Sequence, residues 1–240
     1  MTIVRHHFEV EQTAVTVLAG SGYIKIAKDA IFDARSQIIS KISADPFFGT
    51  TYEPYTPSPN DECVVKRMCI ASLAASVGPM AAVAGAIAEY AVERMVSAGA
   101  EYAVVDNGGD IALVSDRIVN IGMYVNVNGK GLSLKIMPTA RILGICSSSA
   151  SVGPSVSFGG SDISTVISND VSLADACATA LGNAVNADNI KEPLEHTCGI
   201  DGVIGCLSYC NGMLSVCGDV PEMVTCETDD LVITKMLFPK

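Results

Sequence analysis

Tyr102-Ala-Val-Val-Asp-Asn-Gly-Gly-Asp-Ile-Ala-Leu-Val-Ser115 reads as two apolar strands folded back on one another. Asn-Gly between alternating apolar runs is a strong hairpin signal, because two-residue turns that follow strand twist need positive φ. Asp106 and Asp110 bracket Gly108 and Gly109, so Asn107 and the glycine amides are placed to approach a ligand beside two carboxylates. On the C-terminal side the strand-like runs continue at 117–125, 132–137, 141–147 and 164–168, each bounded by turn residues. After a helical stretch come three more, at 202–210, 213–218 and 231–237.

On the N-terminal side the pattern changes. Val4, His6, Phe8 and Val10 alternate, as do Thr13, Val15 and Val17, which predicts a strand pair or one bent strand. Ile31, Ile38, Ile39 and Ile42 recur at helical spacing across 28–42. The segment 45–61 carries four of the ten prolines and is expected to be an ordered loop. Helices follow from Asp61 to Ser76 and from Pro79 to Ser97, with proline suited to the first turn of the second. Helices in runs and strands in runs favour an α+β fold, antiparallel sheets with helices packed on one side. No linker interrupts the chain, so one domain over 1–240, with room for two lobes, is expected.

The chain holds 15 Lys+Arg against 26 Asp+Glu, a formal charge of -11, which repels nucleic-acid backbones and anionic lipid heads. Only 17% of residues are charged and 49% are apolar, so a homo-oligomer that hides part of its surface is expected. The uncharged stretches 68–88 and 142–161 reach bilayer length, yet each is rich in small residues and cut by a Gly-Pro step. They read as buried soluble segments, and the N-terminus lacks an apolar export region, which points to the cytoplasm. Nine cysteines, an odd number with no Cys-x-x-Cys, read as reduced thiols rather than a disulfide framework.

The helix expected over 172–187 is the most informative. Asp175, Thr179, Asn183 and Asn186 fall within an arc of about 80°, with Ala, Cys, Leu, Gly and Val between them. Asp at i and Thr at i+4 offer two hard oxygens to one cation, which suits magnesium or calcium. Spacing alone leaves a capped, solvent-facing stripe equally open. Ser147-Ser148-Ser149, followed by Gly153-Pro154, offers hydroxyls and amides of the kind that hold phosphate, or a plain serine-rich turn. Of His6, His7 and His196, the first two point to opposite faces of a strand and the last reads as a surface turn.

In this order the segments 85–94, 104–111, 145–148 and 173–181 resemble the motif series of the ApbE superfamily. Ser-Val-Gly-Pro-Met-Ala-Ala-Val-Ala-Gly-Ala-Ile-Ala-Glu, from Ser76 to Glu89, is most similar to the branch called uncharacterised protein family 0280. The resemblance implies a T-fold-like arrangement of sheets and helices, and magnesium-dependent chemistry on FAD or FMN. It implies magnesium-ligand oxygens from Asp175 and Thr179 and a backbone carbonyl near Ala86. It places Asp106 to Asp110, Ser147, Ser148 and Gly153 beside the flavin. Where the family carries a lysine this chain has Glu89, and no histidine lies between Ser148 and Asp170. The expectation is therefore a flavin-nucleotide or other anionic small-molecule site with magnesium, without FMN transfer, and the residues leave open whether the protein is an enzyme. The branch's association with sulfide assimilation toward homocysteine adds a second reading, a sulfur carrier or assembly partner using Cys146 or Cys177. A divergent magnesium-dependent FAD:protein FMN transferase is the third.

Overall fold

The structure, a computed structural model, describes residues 2–11, 13–127, 130–149 and 160–226. The Gly153-Pro154 step and the strand expected at 231–237 lie outside them. Strands β1 (Ile3–Val10) and β2 (Thr13–Gly20) form the N-terminal hairpin, with Val10 paired to Thr13. Helix α1 (Ile24–Ala44) buries Ala27, Ile31, Ala34 and Ile38. The proline-rich segment then folds back over the end of α1. Lys41 pairs with Asp61 at 2.9 Å and lies 5.0 Å from the Tyr55 ring, and the Tyr55 hydroxyl donates to Asp45.

Helix α2 (Cys63–Ala75) ends at Ser76, which adopts φ 56. A short 3-10 turn, Pro79–Ala82, leads into α3 (Val83–Ser97), and the two helical units are bent by 108°. The stretch 68–88 is thus split between elements. Among the described residues no single helix is long and apolar enough to cross a membrane.

Strands β3 (Ala103–Asn107) and β4 (Asp110–Ser115) form the expected hairpin. Gly108 and Gly109 have φ +70 and +106, as the mirror-image turn requires. Next come β5 (Val119–Val127), β6 (Lys130–Ile136), β7 (Thr139–Ser148) and β8 (Ile163–Ser168). The last described part holds α4 (Val171–Ala184), α5 (Lys191–Cys198), β9 (Val203–Cys210), β10 (Met213–Gly218) and β11 (Glu222–Cys226).

Eight strands make one antiparallel sheet in the order β1-β2-β3-β4-β7-β8-β9-β10, and β11-β6-β5 make a smaller one. The helices cover one face of the large sheet, against Val105, Ala112, Cys146, Val166 and Cys206. Ile121, Met123, Leu134 and Ile136 of the small sheet cover the other face, against Val104, Leu113, Ile145, Ile167 and Leu207. With both faces covered, β3, β4 and β8 are buried at every position, which is why their sequences read as continuous apolar runs. The small sheet as a covering layer, and helix α5, were not foreseen; α5 carries Pro193 in its first turn, where proline is tolerated.

Helices α3 and α4 cross at Gly85, where an added Cβ would stand 2.7 Å from Asp175 Cβ and 2.7 Å from the Val171 carbonyl. At this crossing each helix supplies the anion for the other's N-terminus. Asp175 of α4 accepts from the Gly85 amide at 2.7 Å in the first turn of α3. Glu89 of α3 accepts from the Val171 and Ser172 amides at 3.3 Å and from the Ser172 hydroxyl at 2.7 Å. Free amides and the macrodipole favour negative charge there. Arg67 of α2 pairs with Glu89 at 3.2 Å and with Glu93 at 2.9 Å. Glu89, where the resemblance leads one to expect a lysine, is a buried carboxylate paired with Arg67.

Replacing Glu89 with Ala leaves Arg67 short of a partner and the Val171 and Ser172 amides without their acceptor. Urea denaturation is expected to show a loss of about 3–5 kcal/mol, the range for breaking a buried ion pair. Glu89→Lys is expected to lose more, because it sets a cation against those amides.

Candidate functional site

The mouth of the β3–β4 hairpin opens on a cavity of about 340 Å³ between α1, the Pro79–Ala82 turn and the start of α3. Its walls are apolar, built from Ile38, Ile42, Met80, Val83 and Ile87. Asn107, Gly108 and Asp110 line one end, and Arg35, Glu11 and Thr13 line another. Arg35 pairs with Glu11 at 2.5 Å and donates to the Thr13 hydroxyl. The volume falls at the small end for ligand pockets, and the mix of apolar wall with a few polar groups is their usual composition.

Strand alternation sorts the expected site residues by face. Asn107, Asp110, Cys146 and Ser148 stand on the helix side; Asp106 and Ser147 stand on the other. Asn107 donates to the Ala84 carbonyl at 3.1 Å, tying the hairpin to the first turn of α3. Asp106 accepts from the Gly109 amide at 2.9 Å and closes the turn, so that amide is used internally. No neighbour crowds the Cβ positions of Gly108 or Gly109, so their φ, not a close approach, is what calls for glycine. Ser147 bonds the Thr165 hydroxyl at 2.8 Å, away from α4. Ser148 packs 3.3 Å from the position of a Cβ on Gly182 of α4. Gly153 lies outside the described residues.

Asp175 of α4 is 7% exposed and does not itself line the cavity; its carboxylate sits on the Gly85 amide, next to Ala84, which does. Thr179 and Asn183 follow on the same helix, half-buried. Asn186 does not share the stripe: α4 stops at Ala184, Val185 turns extended, and Asn186 accepts from the Asp188 and Asn189 amides in an exposed loop. Ala86 sits inside α3, where a helical carbonyl is committed to the amide four residues on. The carbonyl at the hairpin is that of Ala84 instead.

The electrostatics converge on Asp110 and Asp175. Burial, then the charge of Asp175, then that of Asp106 push the Asp110 carboxyl well above the usual carboxylate range. Burial pushes Asp175 up to about 7, against the pull of the Gly85 and Ala84 amides. Asp110 Oδ1 is buried without a hydrogen-bond partner. Two carboxylates with an uncommitted oxygen call for a proton or a cation. Among the described residues no group of three or more His, Cys, Asp or Glu side chains is arranged to hold a metal ion. The two carboxylates and the Asp110 oxygen without a partner make a partial donor set, of the kind that magnesium completes with water and substrate phosphate. In that fit Asp110 and Asp175 supply the oxygens, with Thr179 one turn beyond Asp175.

The thiols beside this cleft are sealed. Cys146 donates to the Val171 carbonyl at 3.6 Å, and burial raises it well above an ordinary thiol. Cys177 is pushed up to about 12 by burial. Neither presents the thiolate that sulfur carriage requires. His196 is an exposed residue of α5, not a turn residue, and no histidine lines the cavity.

The raised carboxyl values fix a sign. Below about pH 4 the folded and unfolded states both hold these protons; above it the unfolded chain releases them while the folded state keeps them. Stability is therefore lost as pH climbs through about 7, where Asp175 titrates in the fold. In chelator-treated protein, Asp110→Asn is expected to be more stable than the parent at pH 8 and nearly equal at pH 4. Urea midpoints at several pH values measure the difference.

The family model described as AbpE bacteria matches residues 2–198. A UPF0280 protein of Methanothrix thermoacetophila is 49% identical over 236 residues, covering 97% of this chain and 100% of that protein. One of Archaeoglobus fulgidus is 43% identical over 238 residues, covering 96% and 99%. Among solved structures, the flavin transferase ApbE from Vibrio cholerae superposes with a TM-score of 0.61 at 13% identity, covering 95% of this chain and 97% of that one. The apo flavinyl transferase ApbE of Pseudomonas stutzeri gives 0.60 at 12% identity, covering 93% and 94%. Those structural likenesses establish the fold, and the sequence relatives establish the lineage: the chain belongs to the UPF0280 family, an ApbE-like branch.

Proposed function

We propose that this protein binds a flavin nucleotide, FMN or FAD, together with a magnesium ion at the Asp110 end of the cavity, where the buried Asp175 stands behind the lining. The observation that carries the reading is the buried, unpartnered Asp110 oxygen at the end of an apolar pocket, beside a second buried carboxylate. Two carboxylates would repel a phosphate on their own. A divalent cation held by them would reverse the local sign and let phosphate approach. The apolar wall of Ile38, Ile42, Val83 and Ile87 suits a planar ring, while Asn107 fixes the hairpin against Ala84 so that the polar end keeps its shape.

When bound, magnesium would neutralise phosphate charge and polarise its oxygens. The chain's own contribution is the placement of Asp110 and Asp175 and the exclusion of water by the apolar wall. Among the described residues neither lysine nor histidine lines the cavity, and Arg35 is held by Glu11 and Thr13. The cleft thus lacks the side chains that normally offset charge on a departing phosphoryl group, so the reading is binding rather than FMN transfer.

Titration of chelator-treated protein with FMN and FAD, followed by flavin fluorescence, tests it. Binding is expected to strengthen at least tenfold when magnesium is added, and Asp110→Asn is expected to remove that gain while keeping the fold by circular dichroism. Flavin binding that ignores both magnesium and Asp110, or no binding at all, overturns the reading. Transfer of FMN to a threonine-bearing acceptor peptide would overturn its non-transferase part alone.

A further inference from the structure

Away from the cleft, the far end of the large sheet gathers three thiols from three elements. Cys206 of β9 and Cys217 of β10 are register partners on neighbouring antiparallel strands, so both side chains take the helix-covered face. Cys198 is the last residue of α5, which packs on that face, and its sulfur lies 2.7 Å from where a Cβ on Gly218 would stand. Gly218, at φ +76, directly follows Cys217 and thus leaves room there for the Cys198 sulfur. All three belong to one apolar cluster, with Cys206 wholly buried and Cys198 and Cys217 packed against it at its partly exposed margin.

The three thiols are not equivalent. Cys206 turns into the protein and donates to the Leu194 carbonyl of α5 at 3.5 Å. Cys198 interacts with both Cys217 and Cys206, and of these two only Cys217 shares its access to solvent. The trio does not count as a metal centre, since no arrangement of three such side chains suited to an ion occurs among the described residues.

We infer that Cys198 and Cys217 form a reversible disulfide, a redox modification site that staples the end of α5 to β10. The oxidant is a small-molecule disulfide of the glutathione class. One protein thiolate attacks a sulfur of that disulfide, forming a mixed disulfide and releasing one small thiol. The second protein thiolate then displaces the other. The pair loses two protons and two electrons, one S–S bond forms in the protein, and the oxidant leaves as two thiols. Because α5 follows α4 through the Asn186–Asn189 loop, the staple restrains the segment next to the helix that carries Asp175. The inference stands apart from the ligand reading, since it uses no residue of the cleft.

Incubating the full chain with oxidised glutathione, then mapping peptides without reduction, tests it. The expected result is a Cys198–Cys217 cross-link, reversed by dithiothreitol, with a higher thermal midpoint in the oxidised form. Cys146 and Cys177 are expected to stay reduced, and Cys63, exposed on α2, takes a glutathione adduct that the map separates. Cys217→Ser and, independently, Cys198→Ser are expected to abolish both the cross-link and the midpoint shift. Since the map is read on the wild-type chain, misfolding of a variant does not blunt the test. A wild-type chain that keeps both thiols at an excess of oxidised glutathione, or that pairs either one with Cys206 or with another molecule, overturns the inference.

Discussion

The contact on which the rest of this fold hangs is the crossing of α3 and α4, where each helix puts a carboxylate into the first turn of the other. Helix α3 has no side-chain cap of its own, and α4 has one for only part of its first turn. Ala82 precedes α3 and has no side chain to offer, so Asp175 reaches across from α4 to the Gly85 amide. Asp170 satisfies the Leu173 amide of α4, and Glu89 takes the amides before it. The exchange works only at short range, and Gly85 provides that range because any side chain there would collide with Asp175 and Val171. Gly144 of β7 does the same beneath α4, where a Cβ would stand 2.8 Å from the Val171 Cα. Small residues thus set the spacing, and the buried anions hold it.

The same crossing brings chemistry to the cleft. Asp175 satisfies a helix terminus with one oxygen while its charge confronts Asp110 on the hairpin. A core designed for stability alone would not place two carboxylates together and leave an oxygen without a partner. Their mutual repulsion is a cost carried by the ligand-free fold, and costs of this kind concentrate where proteins bind or react. The fold thereby explains why one aspartate serves both as a helix cap and as the best candidate for holding a cation.

Much of the fold was legible in the chain itself. The Asn107-Gly108-Gly109 turn, the helical spacing of Ile31 and Ile38, and the proline-rich segment after α1 all depend on backbone torsion and local periodicity. The paired-strand and helix-run order gave the antiparallel arrangement for the same reason. Helix α5 was obscured by Pro193 and by a length of eight residues, too short for a periodic signal. Strand β11 was equally silent, because its pairing with β6 is a long-range contact. At the site, Asp110 and Asp175 were both visible as candidates, while the spacing left open which way the latter faces. Ser147 and Asp106 were misplaced because two residues adjacent in a strand face opposite ways, and spacing does not say which face meets the helices. Asn186 fell out of the stripe where α4 ended a turn sooner than its apolar pattern implied. The role of Glu89 could not be read at all, since its partners Val171 and Ser172 lie more than eighty positions away.

By itself, then, the sequence determined the kinds of elements, their order, the tight turn at the glycine pair, and the acidic, weakly charged character of the chain. Those properties are local or compositional, and each residue's neighbours in the chain suffice to fix them. The tertiary structure alone decided which carboxylates meet, which amides they neutralise, which serine faces α4, and which of the thiols stand together at the sheet's edge. Such pairings depend on distance through space between segments far apart in the chain, and no periodicity along one segment carries that information.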